Sequence, residues 1–593
     1  MGVDRSILWA AGHRGHRAVS LSKEVSEGGS ALQTRSIRAV VVTVAVALLV
    51  AAVALPATAR RPDDRPQEGT TTIRMSDGVR LSAQVQVPEE GKRFPVLINM
   101  TPYGPGTYYA HFLGDGYAHM NVDIRGTGGS EGALCIFCER EQRDVYEVVE
   151  WAARQKWSNG KVGMYGGSYQ GITPLMGASE QPPHLKAIIP AVSLADAYGD
   201  IVWHNGIFNV NFVAQWFALQ TALSMTGSSP SMDAADRVNQ RIVAESRLLP
   251  WDGPFYRERS VNTKYDDITV PVLHLGGWFD GFSRGTLDNF SGVASKHNRL
   301  IMAPCTHKGC GAPFDPGSEY LGTSEPPGPS GLALYKAWFD HFLKGKDNGI
   351  EDGPPILFYD LGTKKWAADS AWPPKGARLE TFHLSGAPSG SNSGVFDGSL
   401  VPRRPAGNDI EDHYVYDPTV GVTELFAKWG TVAASPHYRA DQRPDEMRAL
   451  TYTTEAMKRP LALAGPMELN FWGATTASDT DWIVKVTDVA PDGSSKLITS
   501  GYVRASHRRW DEKRSRPGRP WLPNTSPAPV PSGKPLEYRV DVWDIAHTIT
   551  KGHRLRITLS SSDFGNHEPL LEPALNYVFH TDAFPSRLLV TVR

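Results

Sequence analysis

A serine flanked by glycines is the residue in this chain whose setting most directly suggests chemistry. The stretch "GMYGGSYQGI", residues 163–172, places Ser168 directly after a short apolar run and directly before a segment that predicts a helix. A nucleophilic serine on a sharp strand-to-helix turn needs small neighbours, because its backbone is strained and lies close to both elements. Gly166 and Gly167 precede the serine, and Gly171 follows three positions after it. Ser168 is therefore the candidate nucleophile.

An acid and a histidine follow in the order that such a serine requires. Enzymes with this kind of turn present serine, acid and histidine in that chain order, each just after a strand. The apolar run "VPVLHLGGWF" leads to Asp280, and "RLIMAPCT" leads to His307. Two further histidines, His274 and His297, lie within or before these strands, which favours structural roles for them. The pattern predicts a Ser-His-Asp triad for acyl transfer, in which the histidine takes the proton of the Ser168 hydroxyl.

The elements that must position this triad alternate between strands and helices. The runs "FPVLINM", "YAHMNVDIRG", "KVGMYG" and "LKAIIPAV" predict strands, and "EQRDVYEVVEWAARQ" has apolar residues at helical spacing. Short apolar strands that alternate with helices predict a parallel sheet covered on both faces. We expect an α/β core from residues 70–192 and 262–345. Residues 193–261 between them predict helices, as in "IVWHNGIFNVNFVAQWFALQTALSM", and a helical lid over the carboxyl edge of the sheet.

The last part of the chain, residues 346–593, has a different pattern. "DWIVKVTDVAPDGSSKLITSGYV" alternates apolar and polar residues on both sides of a Pro-Asp-Gly turn, and "LEYRVDVWDI" and "RLLVTV" alternate too. Short alternating strands with Pro- and Gly-rich connections predict an antiparallel β-sandwich.

The motifs together resemble the X-Pro dipeptidyl-peptidase-like serine hydrolases, the family that includes cocaine esterases. The matching stretches are "TPYG" (101–104), "DIRGTGGSEG" (123–132), "WSNGKVGMYGGSYQG" (157–171), "GGWFDGF" (276–282), "MAPCTHKG" (302–309) and "LSSSDFG" (559–565). The resemblance extends from residue 70 to residue 593. It implies an α/β-hydrolase core, an inserted helical lid and a C-terminal jelly roll. The family motif G-x-S-Y-x-G also accounts for the position of Gly171.

The resemblance further implies an oxyanion hole. In the family, the backbone amide after the serine, here that of Tyr169, pairs with a tyrosine hydroxyl after the third strand. Tyr103 in "TPYG" holds the matching position. An amide and a phenol directed at the developing alkoxide stabilise it by several kcal/mol.

The acyl pocket is less well defined by the sequence. Phe282, Trp203 and Trp216 are candidates for its walls, and core packing is an equally good reading of the two tryptophans. No residue directly after Asp280 is ionisable, so a substrate ammonium would lack a partner there, and an uncompensated buried charge is costly. We therefore expect a preference for neutral acyl groups, with Asp200 as the nearby carboxylate that would change this.

The N-terminus predicts export. Arg35 and Arg38 precede an apolar run from Ala39 to Leu55, and an A-x-A cleavage pattern occupies residues 57–59. We interpret residues 1–59 as a signal peptide with a long n-region or, second, as a retained membrane anchor, and residues 60–69 as a linker. The predicted location is secreted or in the cell envelope.

Four cysteines occur as a C-x-x-C pair and a C-x-H-x-x-C pair: Cys135, Cys138, Cys305 and Cys310. Such spacing is compatible with zinc, but in an exported protein it more often indicates disulfides. We expect local pairing, although spacing alone does not fix connectivity.

Composition narrows the classes of function. The formal net charge of −2 across 593 residues gives no indication of binding to nucleic acid or to an anionic membrane. The predicted function is hydrolysis of small acyl esters or amides, with no cofactor or metal required. X-Pro dipeptidyl peptidase and α-amino acid ester hydrolase are the alternatives among enzymes. A surface-binding protein with a relic hydrolase core is the alternative outside them, and a homodimer stays open.

Overall fold

The fold is that of a computed structural model, which describes residues 67–104, 109–226, 247–310, 331–394, 396–405, 411–421 and 440–593. The predicted signal peptide or anchor and its cleavage pattern lie outside these residues. No helix among the described residues combines the length and the apolar character needed to cross a membrane.

The described residues before residue 192 include six strands of the first sheet and two helices. The strands are β1 (Gln67–Arg74), β2 (Arg80–Val87), β3 (Phe94–Thr101), β4 (Ala118–Asp123), β5 (Ser158–Gly167) and β6 (Leu185–Ala191). Helix α1 (Glu139–Ala153) lies between β4 and β5, and helix α2 (Tyr169–Ser179) lies between β5 and β6. The hairpin of β1 and β2 turns at Asp77-Gly78, where Gly78 has a φ of 90°.

An insertion follows β6. It contains a π-helical turn (Tyr198–Val202), strands β7 (Trp203–His204) and β8 (Ile207–Phe208), helix α3 (Val210–Thr226) and helix α4 (Pro254–Glu258). The prediction of a continuous helix from Ile201 was wrong for its first part. Asn205 and Gly206 have φ angles of 48° and 90°, the left-handed pair that closes a two-residue hairpin, so the chain turns there before α3 begins. Most of the second predicted helix, "DAADRVNQRIVAESRLL", lies outside the described residues.

The sheet then resumes. Strand β9 (Val272–Phe279), helix α5 (Ser283–Gly292), strand β10 (Asn298–Thr306) and the short helix α6 (His307–Cys310) follow in order. Helix α7 (Gly331–Lys344) and strands β11 (Ile356–Asp360) and β12 (Lys365–Asp369) complete it.

These strands make one ten-stranded sheet in the order β1-β2-β4-β3-β5-β6-β9-β10-β11-β12. The strands from β4 to β11 in that order are parallel, as predicted from their continuous apolar runs. Their residues are almost entirely buried, because helices cover both faces of a parallel sheet. The parallel direction places the ends of β3, β5, β9 and β10 at one edge.

The C-terminal strands form a second sheet. They are β13 (Arg378–Ser385), β14 (Asp397–Val401), β15 (Asp412–Val415), β16 (Leu450–Thr453), β17 (Leu461–Thr475), β18 (Asp481–Val489), β19 (Ser495–Arg504), β20 (Leu536–Ile549), β21 (Arg554–Ser560), β22 (Leu575–Phe579) and β23 (Arg587–Val592). A short helix, α8 (Arg443–Glu446), precedes β16.

This second sheet closes on itself. Its order is β15-β22-β17-β20-β19-β18-β21-β16-β14-β13-β23, and β23 also pairs with β17. The prediction of two separate sandwich sheets is therefore not confirmed. The 15-residue strand β17 pairs with β23 from Leu463 to Asn470 and with β22 from Trp472 to Thr475, so one long strand joins both ends of the sheet.

Two element boundaries differ from the predicted ones. Strand β1 begins at Gln67, inside the predicted linker 60–69. Strands β11 and β12 belong to the first sheet, so the second sheet begins after Asp369 rather than at residue 346. Strand β12 pairs antiparallel with β11 at the edge of the first sheet, a long-range arrangement that the sequence pattern of this segment did not indicate.

Helix α2 lies unusually close to the sheet at Gly171. A Cβ at this position would lie 2.3 Å from the carbonyl oxygen of Ala191 and 2.8 Å from that of Gly166. Any side chain would therefore push α2 away from the ends of β5 and β6.

We predict that Gly171→Ala lowers the free energy of unfolding by about 1–3 kcal/mol, the usual cost of an overpacked position. Gly114→Ala is the matched control, because nothing lies within 4 Å of a Cβ there. Denaturant unfolding measures both. Equal stabilities for the two variants would contradict the close packing of α2 on the sheet.

Candidate active site

The three predicted triad residues follow strands that are near neighbours in the sheet. Ser168 follows β5, Asp280 follows β9 and His307 follows β10. The strand order β5-β6-β9-β10 and their parallel direction bring these ends to the same edge. This edge is where open α/β sheets place their ligands.

The backbone at Ser168 is strained. Its φ and ψ are 62° and −126°, a conformation that residues other than glycine rarely adopt. The Ser168 N–H donates to the carbonyl oxygen of Ala191 at 3.1 Å, and the Ser168 carbonyl accepts from Gly171 and Ile172 in the first turn of α2. Gly166 is also required, because a Cβ there would lie 2.5 Å from the Cβ of Gln170. Both glycines of the motif thus make room for the turn.

Asp280 and His307 form a tight pair. The His307 Nδ1 lies 2.6 Å from the Asp280 Oδ1, and the carboxylate is fully buried. The second carboxylate oxygen, Oδ2, accepts from the Phe282 N–H at 3.0 Å. Because the carboxylate is an acceptor, the neutral imidazole carries its proton on Nδ1 and leaves Nε2 as the acceptor.

Tyr103 lies beside the serine. Its phenol forms a hydrogen bond with the Ser168 hydroxyl and accepts one from the Trp216 Nε1 at 3.2 Å. Burial raises the pKa of Tyr103, while these two hydrogen bonds oppose the rise. The phenol therefore stays protonated at neutral pH and can donate.

Tyr169 is the first residue of α2. An amide at this position has no acceptor within its own helix, and it lies at the positive end of the helix dipole. The Tyr169 hydroxyl donates to the buried Glu141 Oε1 at 2.7 Å. Sequence reasoning did not identify Glu141, and nothing in its spacing distinguishes it from the other acidic residues of α1.

Aromatic rings line the space around the triad. Ring centroids are 5.5 Å apart for Phe282 and His307, 6.0 Å for Phe282 and Phe212, and 5.9 Å for Phe212 and Trp216. The Trp216 ring is 6.1 Å from that of Tyr169. Two of the predicted pocket residues therefore lie at the catalytic edge: Phe282 contacts His307, and Trp216 contacts Tyr169. Phe212 lies between Phe282 and Trp216 and contacts both rings. Phe212 was missed, although its i,i+4 spacing to Trp216 puts both on one face of α3.

Trp203 has different neighbours. Its Nε1 donates to the Tyr256 hydroxyl at 2.9 Å, and its ring packs 4.9 Å from Phe208. These contacts lie within the insertion, so a role for Trp203 in the pocket stays a prediction.

Asp200 is already engaged in the structure. Its Oδ2 accepts from the N–H groups of Ala195 and Asp196 at 2.8 and 2.9 Å, and its Oδ1 lies 3.5 Å from the Arg284 guanidinium. The side chain is fully buried. A carboxylate bound in this way holds the insertion together and is not presented to a substrate.

The four cysteines lie in two close pairs. Cys135 is 5.6 Å from Cys138 between Cα atoms, and Cys305 is 5.6 Å from Cys310, which suits disulfide geometry. The second pair brackets His307. Within the described ranges, no group of three or more His, Cys, Asp and Glu side chains is arranged to hold a metal ion.

Comparisons with known proteins agree with this geometry. A family model described as X-Pro dipeptidyl-peptidase (S15 family) matches residues 77–309, and one described as the X-Pro dipeptidyl-peptidase C-terminal non-catalytic domain matches residues 348–581. The cocaine esterase of Rhodococcus sp. (strain MB1 Bresler) is 27% identical over 551 residues, which are 84% of this chain and 91% of that protein.

Solved structures show the same fold. A CocE/NonD family hydrolase from Staphylococcus aureus superposes with a TM-score of 0.73 at 19% identity, covering 91% of this chain and all of that one. An α-amino acid ester hydrolase gives a TM-score of 0.73 at 21% identity, with 91% and 98% covered. The strand order, the serine turn and these matches have one explanation: the chain belongs to the X-Pro dipeptidyl-peptidase-like family of hydrolases, with an α/β-hydrolase core and a closed C-terminal β-domain.

Proposed function

We propose that this chain hydrolyses small acyl esters through an acyl-serine intermediate on Ser168. The observation that carries the proposal is the contact of 2.6 Å between His307 Nδ1 and the buried Asp280, at the same sheet edge as the strained serine turn. A buried carboxylate on Nδ1 holds the tautomer in which Nε2 is free to accept the proton of the Ser168 hydroxyl.

The reaction follows from the positions of the protons. His307 Nε2 accepts the proton of the Ser168 hydroxyl as the oxygen attacks the ester carbonyl, and Asp280 stabilises the imidazolium. The tetrahedral intermediate collapses, the C–O bond to the alcohol breaks, and His307 returns its proton to the departing alkoxide. A water then attacks the acyl-serine with His307 again as the base, which releases the carboxylic acid.

The Tyr169 N–H and the Tyr103 O–H are the proposed donors to the tetrahedral oxyanion. The first is a helix-terminal amide next to the nucleophile, and the second is a protonated phenol hydrogen-bonded to it. Each such donor is typically worth about 3–4 kcal/mol of transition-state stabilisation. Trp216, from the insertion, fixes the Tyr103 hydroxyl by donating to it. This contact supports a lid function for the insertion.

We predict that Ser168→Ala and His307→Ala each lower kcat at least about 10³-fold on an aryl ester, because both are needed for one chemical step. A fluorophosphonate probe should label the wild-type protein once, at Ser168. Circular dichroism checks that the variants stay folded.

Retention of a tenth of wild-type activity in folded Ser168→Ala would show that another residue is the nucleophile. Absence of labelling in folded, wild-type protein would favour the non-enzymatic alternative.

The pocket supports neutral acyl groups over α-amino acyl groups. The aromatic side chains around the triad, those of Phe282, Phe212 and Trp216, are uncharged, and Asp200 already accepts from two backbone amides. Among the described residues around the triad, a substrate ammonium would therefore meet no counter-charge, and burying it without one is costly. This ranks an ester hydrolase above an α-amino acid ester hydrolase or an X-Pro dipeptidyl peptidase, both of which must hold a free α-amino group.

We predict a higher kcat/KM for a phenylacetyl ester than for the phenylglycyl ester of the same alcohol, by about tenfold or more. The two differ only in the amino group, so the pair isolates its effect. Assays at a pH where the amine is protonated measure the ratio. A preference for the phenylglycyl ester there would contradict a neutral acyl site.

We also propose that the protein is exported, with Cys135–Cys138 and Cys305–Cys310 oxidised. The apolar run Ala39–Leu55, the A-x-A pattern and the two close cysteine pairs support this. Membrane retention through the apolar run and a homodimer stay predictions.

Mass spectrometry of protein from an exporting host should find a chain that begins at Arg60 and four cysteines that resist alkylation until reduced. A full-length chain in the membrane fraction would favour the anchor. Four free thiols would contradict the disulfides.

A further inference from the structure

A buried carboxylate holds the side chain of Tyr169, the residue that follows the proposed nucleophile. The Tyr169 hydroxyl donates to the Glu141 Oε1 at 2.7 Å. The exposed fractions of Tyr169 and Glu141 are 1% and 2%, so water does not compete for this bond. Glu141 lies in the first turn of α1, and Tyr169 is the first residue of α2.

Glu141 is itself held by the loop before α1. Its Oε2 accepts from the Phe137 N–H at 2.9 Å, and the Phe137 ring packs 4.2 Å from that of Tyr169. Phe137 and Ile136 have φ angles of 57° and 44° and lie between the paired Cys135 and Cys138. The cysteine pair thus closes a strained two-residue loop whose amide and ring both contact the Glu141–Tyr169 unit.

Glu141 does not belong to the ion pairs around it. Arg125 pairs with Asp144 at 2.5 Å and with Asp77 at 3.0 Å, and Arg140 also pairs with Asp144. Burial raises the pKa of Glu141 to about 7, and the hydrogen bonds from Tyr169 and Phe137 oppose the rise. Glu141 forms no salt bridge with any described residue, and burying an acid in this way is costly, which indicates a role other than general stability.

Such a role follows from the backbone. The backbone of Ser168 is strained, and the next peptide joins it to Tyr169. Such strain persists only where the surroundings hold the chain on both sides of the strained residue. The Ser168 N–H bond to Ala191 fixes one side. On the other side, the Ser168 carbonyl, which belongs to the same peptide as the Tyr169 N–H, accepts from the Gly171 and Ile172 amides at 2.9 Å. The bond from the Tyr169 phenol to Glu141 adds a further anchor on that side.

We propose that Glu141 is a positioning residue for the reaction: through the Tyr169 hydroxyl it holds the Tyr169 backbone amide in the direction required to donate to the oxyanion. This inference rests on the proposed function. It assigns no contact between Glu141 and the substrate.

The test compares Glu141→Gln and Tyr169→Phe with the wild type at pH 8, above the pKa of about 7 to which burial raises Glu141. Two inhibition constants are measured for each protein: one for a boronic acid, which forms a tetrahedral adduct on serine, and one for the carboxylate with the same side chain, which resembles the product. Tyr103→Phe is the positive control. Tyr117→Phe is the matched control, because the buried Tyr117 hydroxyl donates to Asp340 at 2.8 Å in a similar bond. Tyr117 precedes β4, at the sheet edge opposite to the one where Ser168 follows β5.

We expect Glu141→Gln and Tyr169→Phe each to raise the inhibition constant of the boronic acid about tenfold and that of the carboxylate less than about twofold. The reason is that a misdirected hydrogen-bond donor loses part of the oxyanion stabilisation that complete removal of the donor would lose. Tyr117→Phe should change neither constant. The double variant Glu141→Gln/Tyr169→Phe should bind the boronic acid no more weakly than the weaker-binding of the two single variants. Both substitutions act on the same Tyr169–Glu141 hydrogen bond, so their effects should not add.

Unchanged boronic acid affinity in Tyr169→Phe and Glu141→Gln, with only a lower Tm, would overturn the positioning role. Additive losses in the double variant would overturn it too, because Glu141 would then act by another route. If these results occur while fluorophosphonate still labels Ser168 and Tyr103→Phe still weakens the boronic acid, the proposed function stands and only this inference fails. If the wild-type protein reacted with neither the fluorophosphonate nor the boronic acid, both the proposed function and the positioning role of Glu141 would be overturned.

Discussion

The backbone of Ser168 combines a φ of 62° with the immediate start of helix α2, and the surroundings of the site serve to hold that turn. A strained residue of this kind costs about 1–3 kcal/mol and needs fixed neighbours. Ala191 supplies a carbonyl acceptor on the β6 side, and Gly171 allows α2 to lie close enough for that bond. The turn exposes the serine at the edge where β9 and β10 deliver Asp280 and His307.

The remaining parts of the site come from outside the sheet strands. Helix α3 of the insertion supplies Phe212 and Trp216, and Trp216 also donates to the Tyr103 phenol. One helix therefore contacts both the proposed acyl wall and a proposed oxyanion donor. A movement of α3 would therefore change the shape of the proposed acyl pocket and the position of the Tyr103 phenol together. The size of the acyl group that the pocket accepts is thus linked to the alignment of this oxyanion donor.

The sequence predicted the parts of this fold that depend on short-range pattern. The parallel strands, the β1–β2 hairpin and the three triad positions at strand ends all follow from local apolar runs and turn residues. The family resemblance added Tyr103, whose place beside Ser168 no spacing could have indicated.

What the sequence did not predict depends on long-range contacts or on a missed turn signal. The Asn205-Gly206 pair is a hairpin signal that lay inside an apolar stretch interpreted as helix. The closure of the second sheet depends on β17 and β23, which lie more than a hundred residues apart. The bond between Glu141 and Tyr169 likewise joins two separate helices, and nothing in the spacing of an acidic residue tells which partner buries it. The bonds from the Ala195 and Asp196 amides to Asp200 are local, but they depend on how the chain turns after β6.

The most direct test of the account is a crystal structure of the protein after reaction with an aryl phosphonate. We predict a covalent bond from Ser168 Oγ to phosphorus, with the phosphoryl oxygen within hydrogen-bond distance of the Tyr169 N–H and the Tyr103 hydroxyl. The aryl group should lie against Phe282. Phosphorus bound to another residue, or a phosphoryl oxygen directed away from both tyrosines, would contradict the proposed site.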